Sequence, residues 1–384
     1  MTRHSHLRGS KVAEQRNTSI ELLRIIAMLL ILTCHFIIHF DWNTHHYNLA
    51  LKQQPGWSNA LKWFIVQYGQ VGVTIFFIIS GFFLINKTFN WKRIFKTWFQ
   101  MFCYSASFFL LIFFVGIIWR YPSTIDILMH GEELLNSILA SFLPFTYNSY
   151  WFIGAYILLL LCLPFLNRLI NSMDCKAHLR MLALLAFLSI QILFFGRVSY
   201  WNNLMYAIFG YSIGSWIQKY YEKNKQYFKI SILLTIILIS SAVMLLFNYY
   251  ASSNSEVASF LGWNNQIHYG IWLLPIIIGS CTFILLFRLE TPNKFRTIIT
   301  AIASTTFGIY LIHENLFGFR LLWEFVSRIC QQPSFICLKV LAMMGIVITV
   351  FFTLSLAAWV FDNIIVQPLT KLILERLSTS KQQS

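Results

Sequence analysis

The chain has 384 residues, of which 57% are hydrophobic, 17% aromatic and 11% charged, with a mean hydropathy of +0.63. A soluble globular chain is nearer half apolar and a quarter charged, so both departures exclude a soluble two-domain enzyme, a disordered chain, a fibrous repeat and a disulfide scaffold. The net charge of +15 comes in small clusters between apolar runs rather than as a basic stripe among exposed aromatics, so the expected partner is membrane lipid and not nucleic acid.

A spanning helix takes roughly 20 apolar residues. That length picks out ten segments, at about 19–40, 69–86, 97–118, 150–167, 179–196, 200–218, 230–250, 267–287, 298–318 and 336–361. They predict an all-α integral membrane protein: a tail at 1–18, one ten-helix domain at 19–361 and a second tail at 362–384. With the N-terminus in the cytoplasm, 21 of the 29 Lys and Arg fall in cytoplasmic segments, seven fall outside and Arg24 lies within the first helix. This bias recurs loop by loop and puts both termini in the cytoplasm.

The first segment follows a basic stretch, as a signal peptide would. It is longer than an h-region, contains Arg24 and has no small-residue cleavage site, so it reads as a retained helix. At 100° per residue, Glu21, Arg24, His35 and His39 share a stripe about 120° wide, with Arg24 and His35 about 16 Å apart along the axis. Intramembrane ionisable groups are costly and functional by default, and an imidazole suits proton transfer near neutral pH. The plainer alternative has Glu21 and Arg24 as a snorkelling i,i+3 pair, His35 hydrogen-bonded in a helix interface and His39 as interfacial polarity.

In the second segment Gly72, Ser80 and Gly81 are small residues that permit close helix packing. Directly after it, Lys92, Arg93 and Lys96 crowd the cytoplasmic edge. They serve equally as positive-inside charge or as the counter-charge for an anionic cofactor such as a nucleotide phosphate.

The connections 41–68 and 119–149 are long and lie outside, which suggests that something is bound on that face. Within the second, Leu134–Phe145 is apolar but too short to span, so it lies at the interface or dips between helices. Trp57, Trp63, Trp119, Tyr147, Tyr150 and Trp151 flank helix ends as an aromatic belt would, and Tyr150 and Trp151 are also candidates for binding substrate. In the ninth segment Tyr310, His313 and Glu314 share a face near the outer end, at the depth of His35. They form either a site between the first and ninth helices or an ordinary polar helix terminus. Of the seven cysteines most read as small hydrophobes, and Cys330 and Cys337 are close enough in sequence to pair outside.

Glu21-Leu22-Leu23-Arg24-Ile25-Ile26-Ala27, with His35 eleven residues after the arginine, resembles the first helix of acyltransferase family 3, polytopic bacterial O-acyltransferases of cell-surface sugars. The run Gly72 to Leu84 is similar to that family's second helix, and Gly308 to His313 to its penultimate motif. The resemblance implies a bacterial cytoplasmic membrane, a cytoplasmic acyl-CoA, expected to be acetyl-CoA, and an acceptor hydroxyl on an external glycan, with no metal. It implies that His35 is essential, with Arg24 and Glu21 beside it in the catalytic set. Arg24, Lys92, Arg93, Lys96 and Ser80 would hold the donor, and Tyr150, Trp151, Tyr310, His313 and Glu314 the acceptor. Thr74 stands where many relatives have an acidic residue, and the basic stretch lacks their proline; without the extracellular hydrolase-like domain that some members append, the chain looks closer to the compact branch that includes an O-acetyltransferase of enterobacterial common antigen. The rival reading is a transporter or flippase, although neither two related halves nor paired interrupted helices are visible in the sequence.

Overall fold

The computed structural model describes residues 18–40, 56–119, 131–190, 201–253, 272–289, 293–316, 318–330 and 336–380. These residues form helices and the turns joining them, with no strand among them. Among the described residues six helices are long and apolar enough to cross a membrane, the first being α1 (Thr18–His39). The others lie within α2 (Trp57–Leu84), α3 (Trp91–Trp119), α5 (Trp151–Ser172), α8 (Ile230–Ser253) and α13 (Ile336–Phe361) with its continuation. Between them come α4 (Gly131–Phe142), α6 (Cys175–Ser189), α7 (Asn203–Asn224) and α9 (Leu273–Phe287), then α10 (Arg296–Ser304), α11 (Thr306–His313) and α12 (Gly318–Ile329).

α2 is the central post, packed against α1, α7, α8 and α9. A Cβ on Gly72 would run into the Ala27 carbonyl, and one on Gly81 into the Tyr211 backbone, so these glycines set how closely α1 and α7 approach α2. Accordingly 72% of the apolar stretch of α2 is buried by protein, against 17% of that of α8. The exposed Leu238, Ile239 and Leu246 of α8 therefore need lipid as their solvent. α7 is interior too: Ser212 and Ser215 are fully buried, their hydroxyls returned to the Ile208 and Tyr211 carbonyls. A helix wrapped by protein need not be apolar all round, which is why α7 carries fewer apolar residues than the spanning helices.

Three of the expected segments gain detail in the structure. The run at 298–318 is not one helix: it breaks at Thr305 into α10 and α11, and the chain turns again after His313. At the break the Thr305 hydroxyl reaches the Ile302 carbonyl, 2.8 Å, and Ser355 of α13, 2.7 Å, so side-chain bonds replace part of the backbone ladder. Residues 362–380, within the expected C-terminal tail, are helical: α13 continues through a π-helical turn (Asp362–Val366) into α14 (Gln367–Ser380). The short apolar stretch near 134–145 forms α4, which packs along α3 through Leu134, Ile138 and Phe142 against Phe109 and Ile112.

The aromatic belt is also thinner than expected. Trp57 is exposed and stacks on Tyr249, but Trp63 is buried with Cys34 and Val66, and Tyr150 is buried in the main core. The side chains of Trp119 and Cys337 fall outside the described residues, and so does the Cys330–Cys337 pairing.

Candidate active site

The C-terminal half of α1 presents His35 to the end of α11. His313 is fully buried, and its Nδ1 lies 2.7 Å from the Ile309 carbonyl one turn back. A carbonyl oxygen can only accept, so Nδ1 carries the proton and, in the neutral ring, Nε2 is a bare acceptor. That Nε2 is 3.0 Å from His35 Nδ1, which is also 3.2 Å from Glu314 Oε1. His35 Nδ1 is therefore assigned as the donor, shared between a histidine and a carboxylate, and the tautomer leaves His35 Nε2 with its lone pair free. His39 stacks on His35 at 5.8 Å and packs against Phe319, so it belongs to this row of rings rather than to the interface.

The turn after α11 is held by its own network. The Glu314 backbone N–H closes the helix on the Tyr310 carbonyl at 3.1 Å. Asn315 donates to the Tyr150 hydroxyl at 2.8 Å and accepts from the Gly318 N–H at 3.2 Å, and the Tyr150 hydroxyl donates to the Leu311 carbonyl at 3.3 Å. The position of Glu314 beside His35 is thus fixed from both sides of the turn.

A cavity of about 530 Å³ approaches this cluster from the other end of α1. Its polar end is formed by Arg24 of α1 and by Lys92, Arg93 and Lys96 of α3. Asn90 caps α3, accepting from the Lys92 N–H at 3.0 Å, so the positive end of the helix dipole adds to the four cations. Glu21 is buried 3.5 Å from Arg24 and braces it. From there the lining becomes apolar through Met28 and Ile31. It ends at Tyr310, whose ring meets that of His313 edge-on at 5.8 Å. Ile31 is one helical turn before His35, so the cavity closes within a turn of the histidine cluster.

A cationic mouth, an apolar bore and a hydrogen-bonded imidazole one turn beyond its closed end suit a long anionic substrate with a reactive far terminus. A family model described as an acyltransferase domain matches residues 17–362, nearly the whole of the chain. The chain belongs to acyltransferase family 3. No significant match is found among curated proteins or solved structures.

For this acyltransferase, the fold brings most of the residues singled out in the sequence into two linked groups. Arg24, Lys92, Arg93, Lys96 and Ser80 line one cavity, and His313 and Glu314 both meet His35 Nδ1, with Tyr310 bridging the groups. Glu21 pairs with Arg24, as the plainer reading of the first segment had it, while Tyr150 holds the turn after α11 and Trp151 packs partly buried against the core with its ring on Phe152. Thr74 is fully buried, bonded to the Gln70 carbonyl and at 2.6 Å to the Tyr206 hydroxyl.

The sequence reading missed Asn90, Thr97, Gln100, Phe152 and Tyr156, all of which line the cavity. Thr97 and Gln100 were within reach, because Arg93, Lys96, Thr97 and Gln100 follow the i, i+3, i+4, i+7 stripe of one helix face. Phe152 and Tyr156 carried no signal, since nothing in an apolar helix marks which aromatic turns towards a cavity.

Proposed function

We propose that this membrane acyltransferase moves an acyl group, acetyl first among them, from cytoplasmic acyl-CoA to a hydroxyl of an extracytoplasmic cell-surface saccharide or lipid-linked glycan. The observation carrying this reading is the cavity that begins at Arg24, Lys92, Arg93 and Lys96 and closes one turn short of His35. The phosphorylated head of the donor has its counter-charge at the mouth, and its thin pantetheine arm fits the apolar bore towards the histidine cluster. In the reading, His35 Nε2 takes the proton of the acceptor hydroxyl as its oxygen attacks the thioester carbonyl. The carbon–sulfur bond then breaks, and the CoA sulfur leaves with that proton returned from the imidazole. His313 and Glu314 hold Nδ1–H in place and favour the imidazolium that forms in between, much as a carboxylate orients a catalytic histidine elsewhere.

The same reading takes the protein to be a ten-span bacterial cytoplasmic-membrane enzyme with both ends in the cytoplasm, of the compact branch. The acceptor approaches from the outer face, where His35 and Glu314 keep 13% and 19% of their side-chain surface exposed. The transporter alternative has no comparable support. The deciding experiment is His35→Ala, assayed for O-acetylation of surface polysaccharide in cells in which the variant is shown to be inserted and folded. Loss of acetylation is expected, and acetylation at the wild-type level would overturn the proposal.

A further inference from the structure

Asp362, within the segment expected to be a tail, lies at the start of the π-helical turn that interrupts the last long helix. π-turns interrupt helices rarely and often at functional sites. Its carboxylate is met by two donors from α3: Gln100 Nε2, at 2.9 and 3.1 Å from its two oxygens, and the Tyr104 hydroxyl at 3.0 Å. Tyr104 is fully buried, and Gly308 lets α11 lie flush on it, because a Cβ there would sit 2.6 Å from the tyrosine oxygen. The carboxylate therefore sits directly behind the wall of the donor cavity.

This arrangement fixes which end of the Gln100 amide faces the cavity. The amide nitrogen meets both oxygens of Asp362, so the carbonyl oxygen of the same amide points away from it. Gln100 lines the cavity, and among the described residues its Oε1 has no hydrogen-bond partner. The four cations at the mouth can only donate, whereas Gln100 presents an acceptor. It lies seven residues along α3 from Arg93, about 10 Å further from the mouth. A phosphorylated head held by the cations would bring the amide groups of its arm past this point.

We propose that Gln100 Oε1 accepts an amide N–H of the donor's pantetheine arm, and that Asp362 is the positioning residue that holds the Gln100 amide in that orientation. The proposal rests on the acyl-CoA reading given above. Gln100 acts on binding of the donor and on the register of its thioester, while the proton chemistry stays with His35.

The test measures dissociation constants of acetyl-CoA and of the acetyl thioester of 4′-phosphopantetheine, which lacks the adenine, with the full chain in lipid nanodiscs. Gln100→Leu is expected to weaken both ligands about fivefold, the scale of one neutral hydrogen bond. Asp362→Leu should do the same, and the double variant should be no weaker than either single one, since both remove one interaction. Asp362→Asn, which keeps an acceptor for the glutamine, should bind within about twofold of wild type. Wild-type affinity in Gln100→Leu would overturn the proposal, even if Asp362→Leu failed to fold. A loss in Asp362→Leu without one in Gln100→Leu would overturn it too, and so would a loss seen with acetyl-CoA but not with the shorter thioester, which would move the contact to the adenine amine. Failure of the wild-type protein to bind either thioester would instead remove the acyl-CoA reading and this proposal together.

Discussion

His35 Nδ1 on α1 and His313 Nε2 on α11 lie 3.0 Å apart, and because His313 Nδ1 is committed to the Ile309 carbonyl, the proton between the two rings belongs to His35. Two residues 278 positions apart in the chain thereby set one tautomer. The free lone pair of His35 Nε2 is a consequence of helix packing and not of anything local to α1.

Removing the partner should therefore damage catalysis without damaging donor binding. His313→Ala is expected to lower kcat about 100-fold or more, within the range by which positioned acid–base groups act, and to leave the KM for acetyl-CoA within about twofold. Glu314→Gln keeps an acceptor beside His35 and removes only the charge, so its loss in kcat should be smaller, about tenfold. Steady-state kinetics on purified protein with a glycan acceptor distinguish the two variants.

The mouth of the cavity should behave as an anion site. Neutralising Lys92, Arg93 and Lys96 together by substitution to Gln is expected to weaken acetyl-CoA binding about 100-fold, from exposed ion pairs of just under about 1 kcal/mol each. Desulfo-CoA, which keeps every phosphate, should lose as much as acetyl-CoA, whereas pantetheine, which has none, should be little affected. Raising ionic strength should weaken wild-type binding more than that of the triple variant. Isothermal titration across a salt series reads all three outcomes.

The α1–α2 contact should tolerate no added volume at Gly72. Gly72→Val would press against the Ala27 carbonyl and against Ile31 Cγ1, which would lie 3.0 Å from the added Cβ, and should cost about 1–3 kcal/mol through overpacking. The variant is expected to show a lower thermal midpoint and, because Ile31 lines the cavity, weaker acetyl-CoA binding as well. Gly345→Ala on α13, where a Cβ meets nothing within 4 Å, is the matched control and should change neither.

Asn315 should matter for activity through stability of the turn. Asn315→Ala leaves the Gly318 N–H and one bond of the buried Tyr150 hydroxyl unmade, at a cost of about 1–3 kcal/mol. The expected result is a lowered thermal midpoint together with a fall in kcat at temperatures where the protein stays folded, because Glu314 is the residue before Asn315. Restoration of kcat by Asn315→Asp, which keeps the acceptor for Gly318, would locate the effect in the turn and not in a contact with substrate.

Composition and apolar length alone determined that this is an all-helical membrane protein. The spacing of Arg24 and His35 on one face of α1 marked the residues around which both linked groups form. Those features were legible because membrane helices advertise themselves: about twenty apolar residues are visible in any register, and an ionisable residue among them stands out by its cost. The break at Thr305, the π-turn at Asp362 and the burial of Tyr150 were not legible, because each depends on a partner from another helix that supplies the hydrogen bond or the space. The same holds for chemistry. The sequence could name His35, His313 and Glu314 as candidates, but only the packing of α11 against α1 decides which nitrogen carries the proton. Likewise only the placement of α3 across one cavity from α1 turns four separate cations into the mouth of that cavity. Tertiary structure had to decide these points because a hydrogen bond or a shared cavity is a relation between chain segments, and hydrophobic periodicity records only which face of a segment is apolar.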